Sequence, residues 1–499
     1  MRSVPAASVI IVFPQGISNG QAVDLNPRNA AHMPTTDEIL QQAWNAHQQG
    51  DVAKAFGVYR DVVNREPNNA IAWCYLGIAL HDLRQYANAA QAYEQALKLQ
   101  PHFPVALNNM GNTLRYLGRV EESDAAFQKA IDQQPGYFNA YRNRGTLHAW
   151  TGRIDLAFKY YNKAMELQPE DGELHRNLGV IHLLQGNFEE GWREYRYRWQ
   201  CREAIQHRYP QPKWTGQDLR GKTILLYSEQ GLGDTIHFVR FAKVLKDRGA
   251  RTILHMQASL LALLQGCPGI DSLVPNAWSV NEPFDYHCSL VDVADVLGIR
   301  ADNIPSHVPY IRIPENLIGY WRTQLNRLLP PSRVRVGLVW QGNADHQADM
   351  FRSFALSELE PLCGLEGVQL ISLQFGKGSE QLQSWKGSQP IYALPENLDQ
   401  SSGAFMDTAA ILHQLDWIVT SDTSMAHLAG ALARPTMVML GYTPDWRWLL
   451  DRDDSPWYPT LRLFRQERIG DWNSVALRVR QALEAAAKPL PSSSPPSPP

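Results

Sequence analysis

Cysteine is scarce in this chain, and charge is sparse and balanced. The five cysteines among 499 residues are never spaced Cys-x-x-Cys, which argues against a disulfide framework or a structural zinc site and favours a reducing compartment. Charged residues make up 19% of the chain and sum to a net charge of −3, without long runs of one sign. The composition therefore indicates neither nucleic acid nor an anionic membrane as the main partner.

Long apolar runs are also lacking near the start of the chain. The stretch from Val9 to Phe13 is too short to span a membrane, and with only Arg2 as a preceding charge it is poorly built as a signal peptide. We therefore expect a cytoplasmic protein without a transmembrane segment. The last residues, from Pro489 onward, are nearly all proline and serine, and they predict a disordered tail at 486–499.

A spacing of 34 residues organises the first part of the chain, because prolines recur at positions 67, 101, 135 and 169. In the same register a small residue recurs in the first predicted helix of each unit, at Ala43, Gly77, Gly111, Gly145 and Gly179. An aromatic residue recurs in the second, at Tyr59, Tyr93, Phe127, Tyr161 and Tyr195. A fixed period of this length predicts a solenoid of helix pairs, in which the small residue lets two helices approach and the ring fills the space.

The pattern resembles the tetratricopeptide repeat, with the fullest copy running from Trp73 to Pro101. About five units span Thr36 to Arg202. The last unit lacks the closing proline and is rich in aromatic residues from Gly191 to Trp199, so we predict that it caps the array and docks on the next domain.

Polar residues occupy early positions of the predicted first helices. They are Asn108, Asn109, Asn112, Arg142, Asn143, His175, Arg176 and Asn177. Amide side chains can bond to the backbone of an extended chain. We therefore predict a protein partner on the concave face of the repeats, with peptide binding by Asn108, Asn109, Asn112, Asn143 and Asn177; the alternative is a merely solvated face.

After a joint near Tyr209 to Gly221, apolar segments alternate with helical ones, which predicts parallel sheets. The predicted strands are Thr223–Tyr227, Arg251–Met256, Val334–Trp340, Val368–Leu373, Trp417–Ser421 and Thr436–Leu440, with a helix from Asp234 to Lys246. The predicted organisation is a tail at 1–35, repeats at 36–205, a linker at 206–221, one lobe at 222–332, a second at 333–485 and the tail at 486–499.

Three polar loops follow predicted strands, where the ligands of parallel sheets bind. The first contains Gln230, Gly231, Gly233, Asp234 and His237; the second contains Trp340, Gly342, Asn343, Arg352 and Ser353; the third contains Asp422, Thr423, Ser424 and His427. Glycines let a backbone approach a ligand, Arg352 could clamp a diphosphate, and a helix start after Asp422 could bind phosphate.

Each loop also has a plainer interpretation. Asp234 could serve the helix dipole, Arg352 could be a surface charge, Asp422 or Thr423 could cap a helix, and His427 could be a buried core histidine. A dinucleotide site is disfavoured because Ile236 stands where the third glycine of that fingerprint belongs.

The first loop, from Leu232 to His237, and the third, from Asp422 to Ala429, resemble the heptosyltransferase-like glycosyltransferases of the GT-B type. The resemblance covers about Lys222 to Leu483 and implies two Rossmann-like lobes. The chain also looks like bacterial proteins in which tetratricopeptide repeats precede such a domain, as in O-linked N-acetylglucosamine transferases and flagellin glycosyltransferases.

The resemblance implies Asp234 as the general base, with His237 beside it as a further catalytic candidate. It implies that the stretch with Asp422, Thr423, Ser424 and His427 contacts the nucleotide, with Ser424 in place of the more usual glycine, and that Arg352 stands at the diphosphate in place of the usual lysine. We expect the other residues of the three loops to complete this nucleotide-sugar site. No metal or other cofactor is implied, since the nucleotide sugar is a substrate. The tryptophan-rich loop from Pro444 to Tyr458 is predicted to be a lid or inter-lobe packing rather than a metal motif.

The sequence thus predicts an enzyme, a glycosyltransferase acting on a protein that the repeats hold. Two alternatives stay open. One is a non-catalytic scaffold with a degenerate sugar-nucleotide-binding domain, and the other is transfer to a glycan or lipid-linked acceptor, with the repeats serving only for recruitment.

Overall fold

The computed structural model describes residues 34–201, 207, 209–229, 231–344, 346 and 348–487. The apolar stretch from Val9 to Phe13 and the predicted tail after residue 487 lie outside the described residues. The chain divides into two compact units, one ending at Leu174 and one beginning at His175. Among the described helices, none is both long and apolar enough to cross a membrane.

Ten consecutive helices form the repeat region. They are α1 (Thr36–Gln48), α2 (Val52–Arg65), α3 (Ala70–Asp82), α4 (Tyr86–Leu99), α5 (Pro104–Tyr116), α6 (Val120–Gln133), α7 (Phe138–Trp150), α8 (Ile154–Leu167), α9 (Gly172–Leu184) and α10 (Phe188–Tyr195). The first begins with a capping box, in which the Thr35 hydroxyl accepts from the Glu38 N–H and Glu38 accepts from the Thr35 N–H. The predicted helix pairs are confirmed.

The predicted pairing of small and aromatic residues is confirmed by close contacts inside three repeats. A Cβ atom built on Gly77 would lie 2.6 Å from the ring of Tyr93, and one on Gly111 would lie 2.7 Å from that of Phe127. At Gly145 the corresponding distance to Tyr161 is 2.5 Å. The three rings are buried, so the missing side chain sets how closely the two helices of each repeat pack.

After the repeats a four-stranded parallel sheet forms, with the order β3-β2-β1-β4. Its strands are β1 (Thr223–Tyr227), β2 (Arg251–Met256), β3 (Ser272–Pro275) and β4 (Tyr286–Ser289). The accompanying helices are α11 (Leu232–Phe238), α12 (Arg240–Asp247), α13 (Leu261–Leu264), α14 (Leu290–Val296) and α15 (Glu315–Leu328).

A six-stranded parallel sheet follows, with the order β10-β9-β8-β5-β6-β7. Its strands are β5 (Val334–Val339), β6 (Val368–Ser372), β7 (Ile391–Tyr392), β8 (Trp417–Ser421), β9 (Thr436–Leu440) and β10 (Leu461–Arg465). Its helices are α16 (Asp349–Arg352), α17 (Met406–Leu412), α18 (Ser424–Ala431) and α19 (Trp472–Ala487).

The predicted strands are all present, two of them one residue shorter than expected. The single helix predicted from Asp234 to Lys246 is wrong, because the structure has two helices separated by a turn at Val239. At this turn the Arg240 guanidinium donates to the carbonyl oxygen of His237, so a side chain takes over an acceptor that a continuous helix would use.

The close approach inside the repeats gives a testable expectation. Gly145→Ala should lower the midpoint of thermal unfolding, because the added methyl group overlaps a ring that Thr146 also holds through a hydrogen bond of 3.1 Å. We expect a cost of about 1–3 kcal/mol from overpacking, only partly offset by better helix propensity. Circular dichroism of the full chain measures it.

Gly57→Ala is the matched control, since this helical glycine has no heavy atom within 4 Å of a built Cβ. That variant should unfold at the same or a higher temperature, because only helix propensity changes. Equal midpoints for the two variants would contradict the packing argument.

Candidate functional site

The helices that follow the central strands β1 and β8 meet at their first turns. A Cβ atom on Gly233 would lie 3.1 Å from Cδ2 of His427 and 3.4 Å from Cα of Ser424. Thr423 caps the second of these helices, its hydroxyl accepting from the Met425 N–H at 3.2 Å. The structure therefore brings the first and third predicted loops together at the carboxyl ends of two parallel sheets, where ligand sites of such sheets lie.

The carboxylate of Asp234 lies in the first turn of α11 and is ion-paired with Arg447. The Arg447 Nη2 atom donates to Asp234 Oδ1 at 2.7 Å, and its Nη1 atom donates to Asp445 Oδ1 at 2.8 Å. Arg447 is buried, whereas the Asp234 side chain is 39% exposed. One oxygen of the Asp234 carboxylate is therefore held by Arg447, while the side chain remains accessible from solvent.

Although the Asp234 side chain is partly exposed, the groups packed around it desolvate its carboxylate and raise its pKa above the ordinary value, and the positive charge of Arg447 opposes that shift. Gly231 helps to place the same carboxylate, since a Cβ there would lie 3.0 Å from Asp234 Oδ2. Gln230, the neighbouring residue predicted to bind the donor, lies outside the described residues.

The second predicted loop joins the same site through Arg352. Its Nη1 atom donates to the Asp422 carbonyl oxygen at 3.3 Å and its Nη2 atom to that of Asn343 at 3.5 Å. Ser353 accepts from the Gly342 N–H at 2.9 Å and so fixes the loop. A side chain on Gly342 would meet both the Arg352 guanidinium and the Thr423 methyl group, which explains the glycine.

Two titratable groups beside Arg352 have shifted pKa values. Burial, reinforced by the charge of Asp445, raises the pKa of the Asp422 carboxyl to about 6, while Arg352 opposes the shift. His346 has an exposed surface, but the protein packed around its ring and the charge of Arg352 lower its pKa to about 4. Such shifts cluster where charges of both signs are gathered in a desolvated site.

Two histidines and a tyrosine form a buried chain beneath the site. Tyr458 Oη lies 2.8 Å from Nδ1 of His237 and 3.1 Å from Nδ1 of His427. Burial lowers the pKa of His427 to about 3 and that of His237 well below its ordinary value, so both rings are neutral.

The hydrogen-bond network assigns the ring protons. His237 Nε2 is buried without a partner among the described residues, so its proton belongs on Nδ1, where it can be donated to the Tyr458 oxygen. The Tyr458 hydroxyl then donates to His427 Nδ1, which leaves the His427 proton on Nε2. Tyr458 therefore fixes the tautomers of both rings.

Two predicted site residues lie away from the reachable carboxylate. Trp340 is fully buried in the core of the six-stranded sheet, where its indole N–H donates to the Gly378 carbonyl oxygen. His237 is fully buried as well and packs against Trp457. Because both side chains are fully buried, they are better placed to support the site from within the core than to contact a ligand.

Three important residues were missed by the sequence analysis, namely Asp445, Arg447 and Tyr458. They lie in the loop from Pro444 to Tyr458, in which Trp446, Trp448 and Trp457 are buried. The choice between a lid and inter-lobe packing for this loop stays a prediction. An arginine between two tryptophans matches no functional sequence motif. Its contact with Asp234 is therefore visible only in the folded structure. Among the described residues, no three His, Cys, Asp or Glu side chains are grouped to hold a metal ion.

The predicted amide ladder of the repeats is partly bonded to itself. The Asn143 amide donates to Asn108 Oδ1 at 2.9 Å, and the Asn108 amide donates to Asn109 Oδ1 at 3.2 Å. Asn109 Nδ2 and Asn112 Oδ1 are buried without a partner among the described residues. Asn177, the fifth residue of the predicted ladder, lies in α9.

Comparison with known families identifies tetratricopeptide repeats in the chain. One repeat model matches residues 70–103 and a second matches 108–171 and 151–195. The residues from 70 to 195 therefore carry these repeats, as predicted from the 34-residue period.

The chain is similar to Protein FlbA of Caulobacter vibrioides, with 27% identity over 315 residues. The match covers 59% of this chain and 52% of that protein, so the chain spans about half the length of the curated relative it matches.

Similar solved structures resemble only about a third of the chain. They include MamA, with 20% identity over 34% of this chain and 95% of that chain, and PilW, with 25% identity over 34% and 79%. A tetratricopeptide protein of Thermus thermophilus has 16% identity over 33% and 91%. The TM-scores are 0.29, 0.32 and 0.31, too low to say anything of activity.

The neutral histidines give a pH dependence with a definite sign. A group that is neutral when folded but has a pKa of about 6.5 when unfolded binds protons preferentially in the unfolded chain, so stability rises with pH between the two pKa values. His427 should therefore destabilise the fold as the pH falls from about 6.5 toward its folded value.

His427→Gln should reduce the slope of unfolding free energy against pH by about 1.4 kcal/mol per pH unit in that window. Urea unfolding at a series of pH values measures the slope. His102→Gln is the control, because this histidine is exposed and its removal should leave the slope unchanged. An unchanged slope in His427→Gln would show that the ring is already charged in the folded protein.

Proposed function

We propose that the protein is a glycosyltransferase of the GT-B, heptosyltransferase-like type, which moves a sugar from a nucleotide-sugar donor to a polypeptide held by the repeats. The observation that carries the proposal is the meeting of α11 and α18, which places the reachable carboxylate of Asp234 in one cluster of charges with Arg352. A base and an anion-binding group on facing loops are what glycosyl transfer without a metal requires.

In the proposed reaction Asp234 accepts the proton of the acceptor hydroxyl. The acceptor oxygen forms a bond to the anomeric carbon of the sugar as the bond from that carbon to the diphosphate oxygen breaks. The elevated pKa of Asp234 makes it a stronger base than an exposed carboxylate. Arg447 holds one carboxylate oxygen in place and so orients the other.

The departing nucleoside diphosphate carries the negative charge that Arg352 and the start of α18 would stabilise. The Arg352 side chain is 22% exposed and its donors already point at the loops of Asn343 and Asp422. A guanidinium fixed in this way loses little freedom when it binds a diphosphate.

Replacing Asp234 and Arg352 should separate chemistry from binding. Asp234→Asn should bind the donor as wild type does but lose transfer and donor hydrolysis by about 100-fold or more, because the base is removed. Arg352→Gln should weaken donor binding by about 10-fold or more, because a charge-assisted contact is lost. Calorimetric titration with UDP-, GDP-, ADP- and CMP-sugars, beside an activity assay, measures both.

Asp247→Asn and Arg462→Gln are the matched controls, since both side chains are exposed and neither contacts the site. If none of the donors binds wild-type protein, the proposal fails and a scaffold with a degenerate sugar-nucleotide domain takes its place.

The repeats should affect transfer to a protein and not donor hydrolysis. Asn112 is only half-buried in α5, so Asn112→Ala removes part of the surface predicted to hold the acceptor. It should lower kcat/KM for a polypeptide acceptor several-fold while donor hydrolysis stays unchanged. Asn64→Ala, on the exposed face of α2, should change neither rate. Equal transfer by Asn112→Ala and wild type would favour repeats that only recruit the enzyme.

A further inference from the structure

The strand order of the four-stranded sheet places its topological switch point between β1 and β4. β2 and β3 follow on one side of β1 and β4 pairs on the other, and the carboxyl ends of neighbouring strands at such a point are the usual ligand site of a parallel sheet. Here that site is filled by a side chain of the same chain. Arg198, from the short 3-10 turn Arg196–Gln200 that follows α10, reaches into it.

The Arg198 guanidinium bridges the two loops that leave these strands. Its Nε and Nη2 atoms donate to the Glu229 carboxylate at 3.1 and 2.6 Å, just after β1. The same Nη2 atom donates to Asp292 Oδ1 at 2.5 Å, in α14 after β4. Its Nη1 atom donates to the Tyr195 carbonyl oxygen at 3.2 Å, and only 8% of the Arg198 side chain is exposed.

The two carboxylates need this cation because they are held close together. Ser289 donates to Glu229 Oε1 at 2.5 Å, and its oxygen also accepts from the Asp292 N–H. The Asp292 side chain is 3% exposed, with Lys213 and Trp199 as further donors. Among the described residues Arg198 is the cation paired with Glu229, so its removal would leave two carboxylates close together with less positive charge, an arrangement that desolvation makes costly.

We propose that Arg198 is a positioning residue for the transfer reaction, and that it holds Glu229 and Asp292 together so that the first turn of α11, which carries Asp234, keeps its catalytic position. This inference rests on the proposed function. It makes the segment from α10 to Gln200 part of the catalytic unit, although the repeat pattern assigns it to the repeats.

The segment from α10 to Gln200 also contributes to the electrostatic surroundings of the Asp234 carboxylate. The charged groups around this carboxylate are Arg447, Asp445, Glu229 and Arg198, of which the two arginines favour its ionised form and the two acids oppose it. Tyr195 is a further neighbour, and burial raises its pKa to about 12, so it stays neutral. A change at Arg198 therefore reaches Asp234 through charge as well as through the loop.

Full-length Arg198→Met and Arg198→Lys test the proposal beside Arg196→Met. Arg196 lies in the same turn and pairs with Asp295 at 2.6 Å, but its side chain is 61% exposed, so its loss should matter little. We expect Arg198→Met to lower kcat about 10- to 100-fold with an unchanged KM for the donor, since a misplaced base slows chemistry. Arg198→Lys should recover part of the loss, and Arg196→Met should match wild type.

The pH profile of kcat provides a readout that loss of packing alone would not give. Arg198→Met removes a positive charge and should move the acid limb to higher pH, because Asp234 then ionises less readily. Glu229→Gln removes a negative charge and should move the same limb to lower pH. Shifts in the same direction, or none, would overturn the proposal.

Hydrogen–deuterium exchange separates this inference from the proposed function. Arg198→Met should speed exchange from β1 through α11, and Arg196→Met should not. If wild-type protein transfers no sugar, the proposed function fails and the exchange comparison alone decides the positioning role. Equal exchange in the two methionine variants would overturn it, and should Arg198→Met fail to fold, Arg198→Lys provides the same comparison.

Discussion

The close approach of α11 and α18 is the constraint on which the candidate site depends. It requires a residue without a side chain at Gly233, because a Cβ atom there would already lie 3.1 Å from the ring of His427. The two first turns bring the Asp234 carboxylate and the capped start of α18 to one place. Tyr458 seals the contact from below by bonding to a histidine on each helix. If the two helices did not approach each other, the polar residues of the two loops would not lie together in one site.

In this closely packed region the buried arginines hold the loops in place and also supply positive charge to the candidate site. Arg240, 4% exposed, donates to the carbonyl oxygens of His237 and Trp457 and to the hydroxyl of Tyr310. Arg447 is held between two carboxylates and lies 4.5 Å from the ring centre of Trp446. A guanidinium suits these positions because it stays charged, offers donors in several directions and stacks on aromatic rings. Polar groups buried in this way fix the loops more firmly than apolar packing alone would.

Local patterns predicted the fold well and the site in part. The repeat period identifies the helix pairs because each unit has the same packing problem, and apolar runs identify the central strands because both faces of a parallel sheet are buried. The loop residues Asp234, Arg352 and Thr423 follow from their place after a strand. Arg447 does not, since its contact with Asp234 joins residues more than two hundred positions apart. The sequence predicts that Gly342 lets the backbone come close to a ligand. In the structure, the Arg352 guanidinium lies where a side chain at position 342 would be.

Helix α10 and the turn after it are bonded to the elements that follow β1 and β4, through Arg196 and Arg198 of the turn and through Trp192 of α10, which donates to the Ile299 carbonyl oxygen. The four earlier units close instead on prolines of regular spacing. Whole units upstream could therefore be added or removed without breaking these bonds, whereas the final unit could not be separated from the sheet without losing them. Gene-level variation in the length of the array would leave this last helix pair as its fixed end.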